Sequence, residues 1–106
     1  MWLNTVDYDD VKPILQRLKF IKSKSSSLSE WLLYGLGKDN LTIRIVSSHW
    51  CGIHNHNIEV IDTKGERYSW FSRNNNKYTV ILSKKLPNNS VQDFESELIE
   101  VIEKYV

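Results

Sequence analysis

Residues 41–50 read LTIRIVSSHW and residues 53–62 read IHNHNIEVID, with Cys51-Gly52 between them. Each run alternates apolar and polar side chains over much of its length. A two-residue gap containing glycine suits a tight β-turn, so the pair predicts a hairpin. With Cys51-Gly52 at the tip, Trp50 faces Ile53, His49 faces His54, Ser47 faces His56, Ile45 faces Ile58, and Ile43 faces Val60. The same register sets Arg44 across from Glu59 on the other face, an opposite-charge pair. A slip of one residue would set Ile45 against Glu59 and turn every apolar side chain over, so this register is favoured.

Working outward, Asp62-Thr63-Lys64-Gly65 suits a turn ending in a left-handed glycine. It leads to expected strands at about Arg67 to Ser72 and Tyr78 to Ser83. Continued pairing would put Val60 against Tyr68, Ile58 against Trp70, Trp70 against Val80, and Tyr68 against Leu82. One sheet face would then be almost wholly apolar and would need helices to cover it.

A first helix is expected from Asp9 or Asp10, with Pro13 tolerated in the first turn. Its stripe is Val11, Ile14, Leu15, Leu18 and Ile21. Phe20 falls on the opposite side, so the helix ends early or Phe20 packs elsewhere. Ser27-Leu28-Ser29-Glu30 has capping-box spacing and suggests a short helix through Trp31, Leu32, Leu33 and Tyr34, ended by Gly35 and Gly37. After Pro87, Ser90 or Asn89 caps a last helix with the stripe Val91, Phe94, Leu98, Ile102 and Tyr105. The expected fold is α+β: a four-stranded antiparallel β-meander, an N-terminal helical region, and a C-terminal amphipathic helix packed on one face.

The chain has 106 residues, enough for one domain with an ordinary core. Hydrophobic residues make up 41% and charged residues 25%, the balance of a globular protein in water. The lone cysteine, Cys51, cannot form an internal disulfide. The start lacks the basic and apolar regions of a signal peptide, and the apolar stretch from Trp31 to Gly37 is too short to span a bilayer. A cytoplasmic protein without a membrane partner is expected. Phosphate-cradling glycine loops are absent.

The densest side-chain chemistry lies at the hairpin tip. Three histidines and the cysteine occur within residues 49–56. The register puts His49, His54 and His56 on one face, where they would suit a transition metal such as zinc. Yet the spacing H-x-C-x2-H-x-H is that of no standard zinc knuckle, and Cys51 falls at the turn. A second reading pairs His49 and His54 as general base and acid, assisted by Tyr68 or Lys77. The third takes the histidines as structural.

Charge segregates along the chain. Lys12, Arg17, Lys19, Lys22 and Lys24 lie in a stretch without acids, while Asp93, Glu95, Glu97, Glu100 and Glu103 lie in the last helix. The other sheet face is expected to carry Val46, Ile61, Phe71 and Ile81 within a rim of Arg44, Glu59 and Arg67, with Trp50 at the tip. Unless a helix or the N-terminal segment covers it, that surface suits a protein partner. Nucleic acid fits less well, because the net charge is only +1. The leading expectation is a small non-enzymatic protein that binds another protein, most plausibly an inhibitor or immunity protein neutralising a toxin or enzyme. Asp93, Glu97, Glu100, Arg44, Trp50, Ile61 and Phe71 would make the contact, the acids suiting the basic cleft of a nuclease.

Overall fold

The structure, a computed structural model, describes residues 6–23, 29–37, 40–75 and 77–106; the side chains at 70 and 71 lie outside this description. It is α+β. In order come α1 (Tyr8–Arg17), β1 (Ile21–Lys22), β2 (Ser29–Leu36), β3 (Leu41–Trp50), β4 (Ile53–Asp62), α2 (Trp70–Asn74), β5 (Thr79–Lys85) and α3 (Val91–Tyr105). The strands form one antiparallel sheet in the order β1-β2-β3-β4-β5.

The hairpin β3–β4 has the register read from the sequence, from Leu41↔Asp62 to Trp50↔Ile53. Cys51 and Gly52 both have positive φ (52° and 78°), as a type I′ turn requires of its two central residues.

Among the described residues the sheet has five strands rather than four, and two segments differ from expectation. Residues 29–36 form β2 instead of a helix. Trp31 and Leu33 pack into the main core, while Leu32 and Tyr34 pack on the opposite face. A strand covered on both sides has no polar face, so its period of two vanishes from the sequence. Glu30, expected in a capping box, instead pairs with Arg44 of β3; the proposed cap Ser27 lies outside the described residues. Residues 67–72 are not a strand. Ser69 caps α2 by accepting the Ser72 N–H at 3.1 Å, and Tyr68 turns onto Leu32 and Ile61. β5 therefore pairs directly with β4, Val60 facing Leu82 and Ile61 facing Val80, with a bulge at Ile81.

α1 is capped by Asp7, two residues before the expected position. Its carboxylate accepts the Asp10 N–H at 3.0 Å, and Asp10 returns the bond to the Asp7 N–H at 3.1 Å. Pro13 consequently sits in the second turn. The helix ends in a left-handed residue, Lys19 (φ 72°), with Lys19 N–H donating to Gln16 O and Phe20 N–H to Leu15 O. This Schellman closure reverses the chain and returns Phe20 to the core. Ile21 leaves the helical stripe and lies exposed in β1.

α1 and α3 cover the same sheet face. Val11, Ile14 and Leu15 from one and Phe94, Leu98 and Val101 from the other are buried with Ile43, Ile45, Ile58 and Val60. Val101 takes the inward place expected of Val91, which is exposed. Gly37 (φ 68°) lets the β2–β3 connection approach the end of α3: a β-carbon there would come within 2.7 Å of the Tyr105 carbonyl oxygen. Among the described residues, no helix is long and apolar enough to cross a membrane.

Candidate functional site

The hairpin end collects the chemistry. Among the described residues, β2 pairs no further along β3 than Ser47, and β5 no further along β4 than Asn57. Among the described residues, 48–55 thus extend as a two-stranded ribbon. Tyr8, at the start of α1, sets its ring edge-on to His54 at 4.7 Å between centroids. Asn88 donates from Nδ2 to the His54 carbonyl at 2.8 Å, two residues before the α3 cap. Both helix starts therefore lie at this end.

The histidines form a column on the helix-covered face. His49 and His54 approach to 4.4 Å between ring centroids with planes tilted by 34°, and His54 and His56 stand 6.4 Å apart at 7°. His56 then meets Phe94 edge-on at 5.2 Å. His56 is fully buried. Its Nε2 is 2.6 Å from the Val6 carbonyl, which can only accept, so Nε2 carries the proton. Nδ1, 2.6 Å from Ser47 Oγ, accepts the hydroxyl proton in the neutral ring. Burial, with the nearby His54, holds this imidazole below its ordinary pKa; the bond to Val6 and the charges of Asp7 and Asp10 act the other way without prevailing.

This arrangement separates the three histidines. His56 ties the N-terminal segment to β3 and β4, and with both nitrogens engaged it has no lone pair for a metal. It leaves the expected metal set. His49 and His54 remain adjacent, as the register implied. Cys51 is exposed at the turn. Among the described residues there is no cluster of three or more histidines, cysteines or carboxylates able to hold a metal ion.

On the opposite side of the ribbon, Trp50 is 78% exposed and its cross-strand partner Ile53 is 40% exposed. Tyr8 and Val91 add exposed apolar surface at the same end. Asp9 and Asp93, in the first turns of α1 and α3, are exposed beside them.

The patch expected on the second face is covered in part, while Ile81 is 47% exposed. Ile61 is fully buried with Leu32 and Tyr68. Arg44 is a largely buried link in a chain of charges. Its guanidinium bonds Glu30 and, at 2.7 Å, Glu59 Oε1, while Arg73 grips the Glu59 carboxylate with contacts of 3.0 and 2.8 Å. Burial raises the Glu59 pKa, but the Arg73 and Arg44 bonds outweigh it and hold the carboxyl below its usual value. Tyr68, sunk beside this chain, has its pKa raised by burial. Sequence reasoning found the Arg44–Glu59 pair and missed Glu30 and Arg73. A lone acid before an aromatic run that pairs with a strand carrying a lone arginine was the available signal. Phe71's side chain lies outside the described residues. Asp93 and Glu100 are exposed on α3, whereas Glu97 is held by Lys84 Nζ at 2.6 Å.

No family model matches the chain, and no curated protein or solved structure is significantly similar to it.

Proposed function

We propose that this protein binds another protein through the hairpin end. The carrying observation is Trp50, 78% exposed and paired across the β3–β4 hairpin with Ile53. A tight turn presenting a solvated tryptophan has the form of an interface anchor, since burial of its large apolar ring is deferred to the complex. Asp9 and Asp93, exposed in the first turns of the two helices that start at this end, with Glu100 further along α3, favour a partner with a basic surface. A small inhibitor or immunity protein that neutralises a toxin or enzyme, a nuclease among them, fits this description. The lone exposed thiol fits a reducing cytoplasm.

The test is affinity capture with the wild type and Trp50→Ala in parallel, then calorimetric titration against the protein recovered. Trp50→Ala should weaken binding by roughly 30-fold or more, as truncation of a central aromatic anchor does. Asp93→Lys with Glu100→Lys should slow association at low salt. Binding unaffected by Trp50→Ala would overturn the reading.

A second reading rests on the 4.4 Å approach of His49 and His54. Two imidazoles at that separation can share a zinc ion or divide base and acid roles. Elemental analysis of untagged protein tests the first role. Less than about a tenth of an equivalent of metal would argue against a tight site.

A further inference from the structure

The second face ends, away from the hairpin tip, in a cleft of about 440 Å³. Tyr34 of β2 forms one wall, and Glu66 and Arg67 from the connection after β4 line another; Ile21 and Thr42 also line it. Backbone geometry prepares both walls. The pairing of β2 with β3 shifts between Leu33 and Leu36, around Gly35 with φ 72°. The facing loop turns through Lys64 and Gly65, both with positive φ, and is fixed by Thr63 Oγ1 donating to Glu66 O at 2.6 Å and Lys64 N–H donating to Asp62 Oδ1 at 2.8 Å.

The charges here differ from those further along the same face. Glu30, Arg44, Glu59 and Arg73 neutralise one another. Among the described residues, neither Glu66 nor Arg67 enters an ion pair. The Arg67 guanidinium instead lies over the Tyr34 ring, 4.8 Å from its centroid, which orients its planar donors without satisfying them. Among the described residues, one cleft therefore presents a cation and an anion outside any ion pair, an aromatic face and an aliphatic side chain.

We infer that this cleft binds a small zwitterion of the amino-acid class, of free amino-acid or dipeptide size, carrying an apolar side chain. The carboxylate meets Arg67, the ammonium meets Glu66, and the side chain rests against Tyr34 and Ile21. A simple anion would be repelled by Glu66 and a simple cation by Arg67. The volume lies within the range of small-molecule pockets and accommodates a dipeptide. This site is independent of the hairpin end.

The test is an amide chemical-shift titration of the labelled full chain with glycyl-L-phenylalanine, with its N-acetyl form (no ammonium) and with its C-terminal amide (no carboxylate). The dipeptide should give saturable shifts at Gly35, Thr42 and Gly65. Each blocked form should bind roughly tenfold more weakly, the worth of one charge-assisted hydrogen bond. Glu66→Gln should lose the discrimination against the N-acetyl form, and Arg67→Gln that against the amide. Both side chains are exposed, and the amide spectrum itself reports whether each variant is folded. Absence of saturable shifts up to about 10 mM, an affinity already weaker than a site of this size should give, would overturn the proposal. Equal binding of all three ligands would do so as well.

Discussion

Replacing His56 by phenylalanine keeps an aromatic ring against Phe94 but removes both of the imidazole's hydrogen bonds. The Ser47 hydroxyl and the Val6 carbonyl would then be stranded in buried residues. Each unsatisfied group costs about 1–3 kcal/mol, so a loss of about 3 kcal/mol is expected. In a domain of this length that lowers Tm by roughly 10–20 °C. Adding Ser47→Ala to His56→Phe removes one stranded group and should restore about 1–2 kcal/mol. The effect also depends on pH. Burial keeps folded His56 from protonating at its ordinary value of 6.5, whereas the unfolded chain protonates there. Below that value the unfolded state binds more protons, so stability falls as pH drops from 6.5 toward the lower folded pKa. His56→Phe lacks this proton uptake, and the stability gap between wild type and variant should narrow on acidification. Urea unfolding at a series of pH values measures both effects. A variant within about 0.5 kcal/mol of wild type, or a gap indifferent to pH, would refute the assignment of His56 as a neutral, doubly bonded tie.

Glu59→Gln should cost about 2–4 kcal/mol, because it leaves Arg44 and Arg73 crowded without their shared carboxylate. The wild-type contribution is present above the ordinary value of 4.5 and lost as pH falls through the lower folded value, so acid unfolding curves of the two should converge. Gly37→Ala should destabilise by about 1–3 kcal/mol, and by more than Gly35→Ala, since both residues have positive φ but only Gly37 has a backbone oxygen in the way; thermal melting compares them. Lys84→Ala should change stability by less than about 0.5 kcal/mol, its pair with Glu97 being partly exposed. Trp50→Ala should leave the melting temperature almost unchanged, as expected of a side chain in solvent.

The parts of this fold that were readable from sequence are those decided locally. The β3–β4 register follows from a two-residue turn and a period of two, and the meeting of His49 with His54 follows from that register. Ser90 at the start of α3 was readable for the same reason. What escaped was decided by partners distant in the chain. Trp31 to Tyr34 looks helical until β3 is placed alongside it. Ile61 and Arg44 look like surface residues until Tyr68 and α2 fold over them. The hairpin-tip cluster was visible as composition, but its division into a buried tie at His56 and a more open pair at His49 and His54 required knowing that Val6 returns to the sheet. The cleft beside Tyr34 left no local trace, because its charged residues stand more than thirty positions further along.

The bonds of Val6 bear on the order in which a ribosome can finish this molecule. Its carbonyl waits for His56, fifty positions later, and its amide for Asn88. Helix α1 shares its core with Phe94, Leu98 and Val101, which lie far later in the chain. Val11, Ile14 and Leu15 can meet Ile43, Ile45, Ile58 and Val60 once β3 and β4 have formed, but that shared core stays open on one side until α3 has been made. A chain halted before Asn88 would keep the His56 bond to the Val6 carbonyl but lack the partner of the Val6 amide and the α3 side of the core.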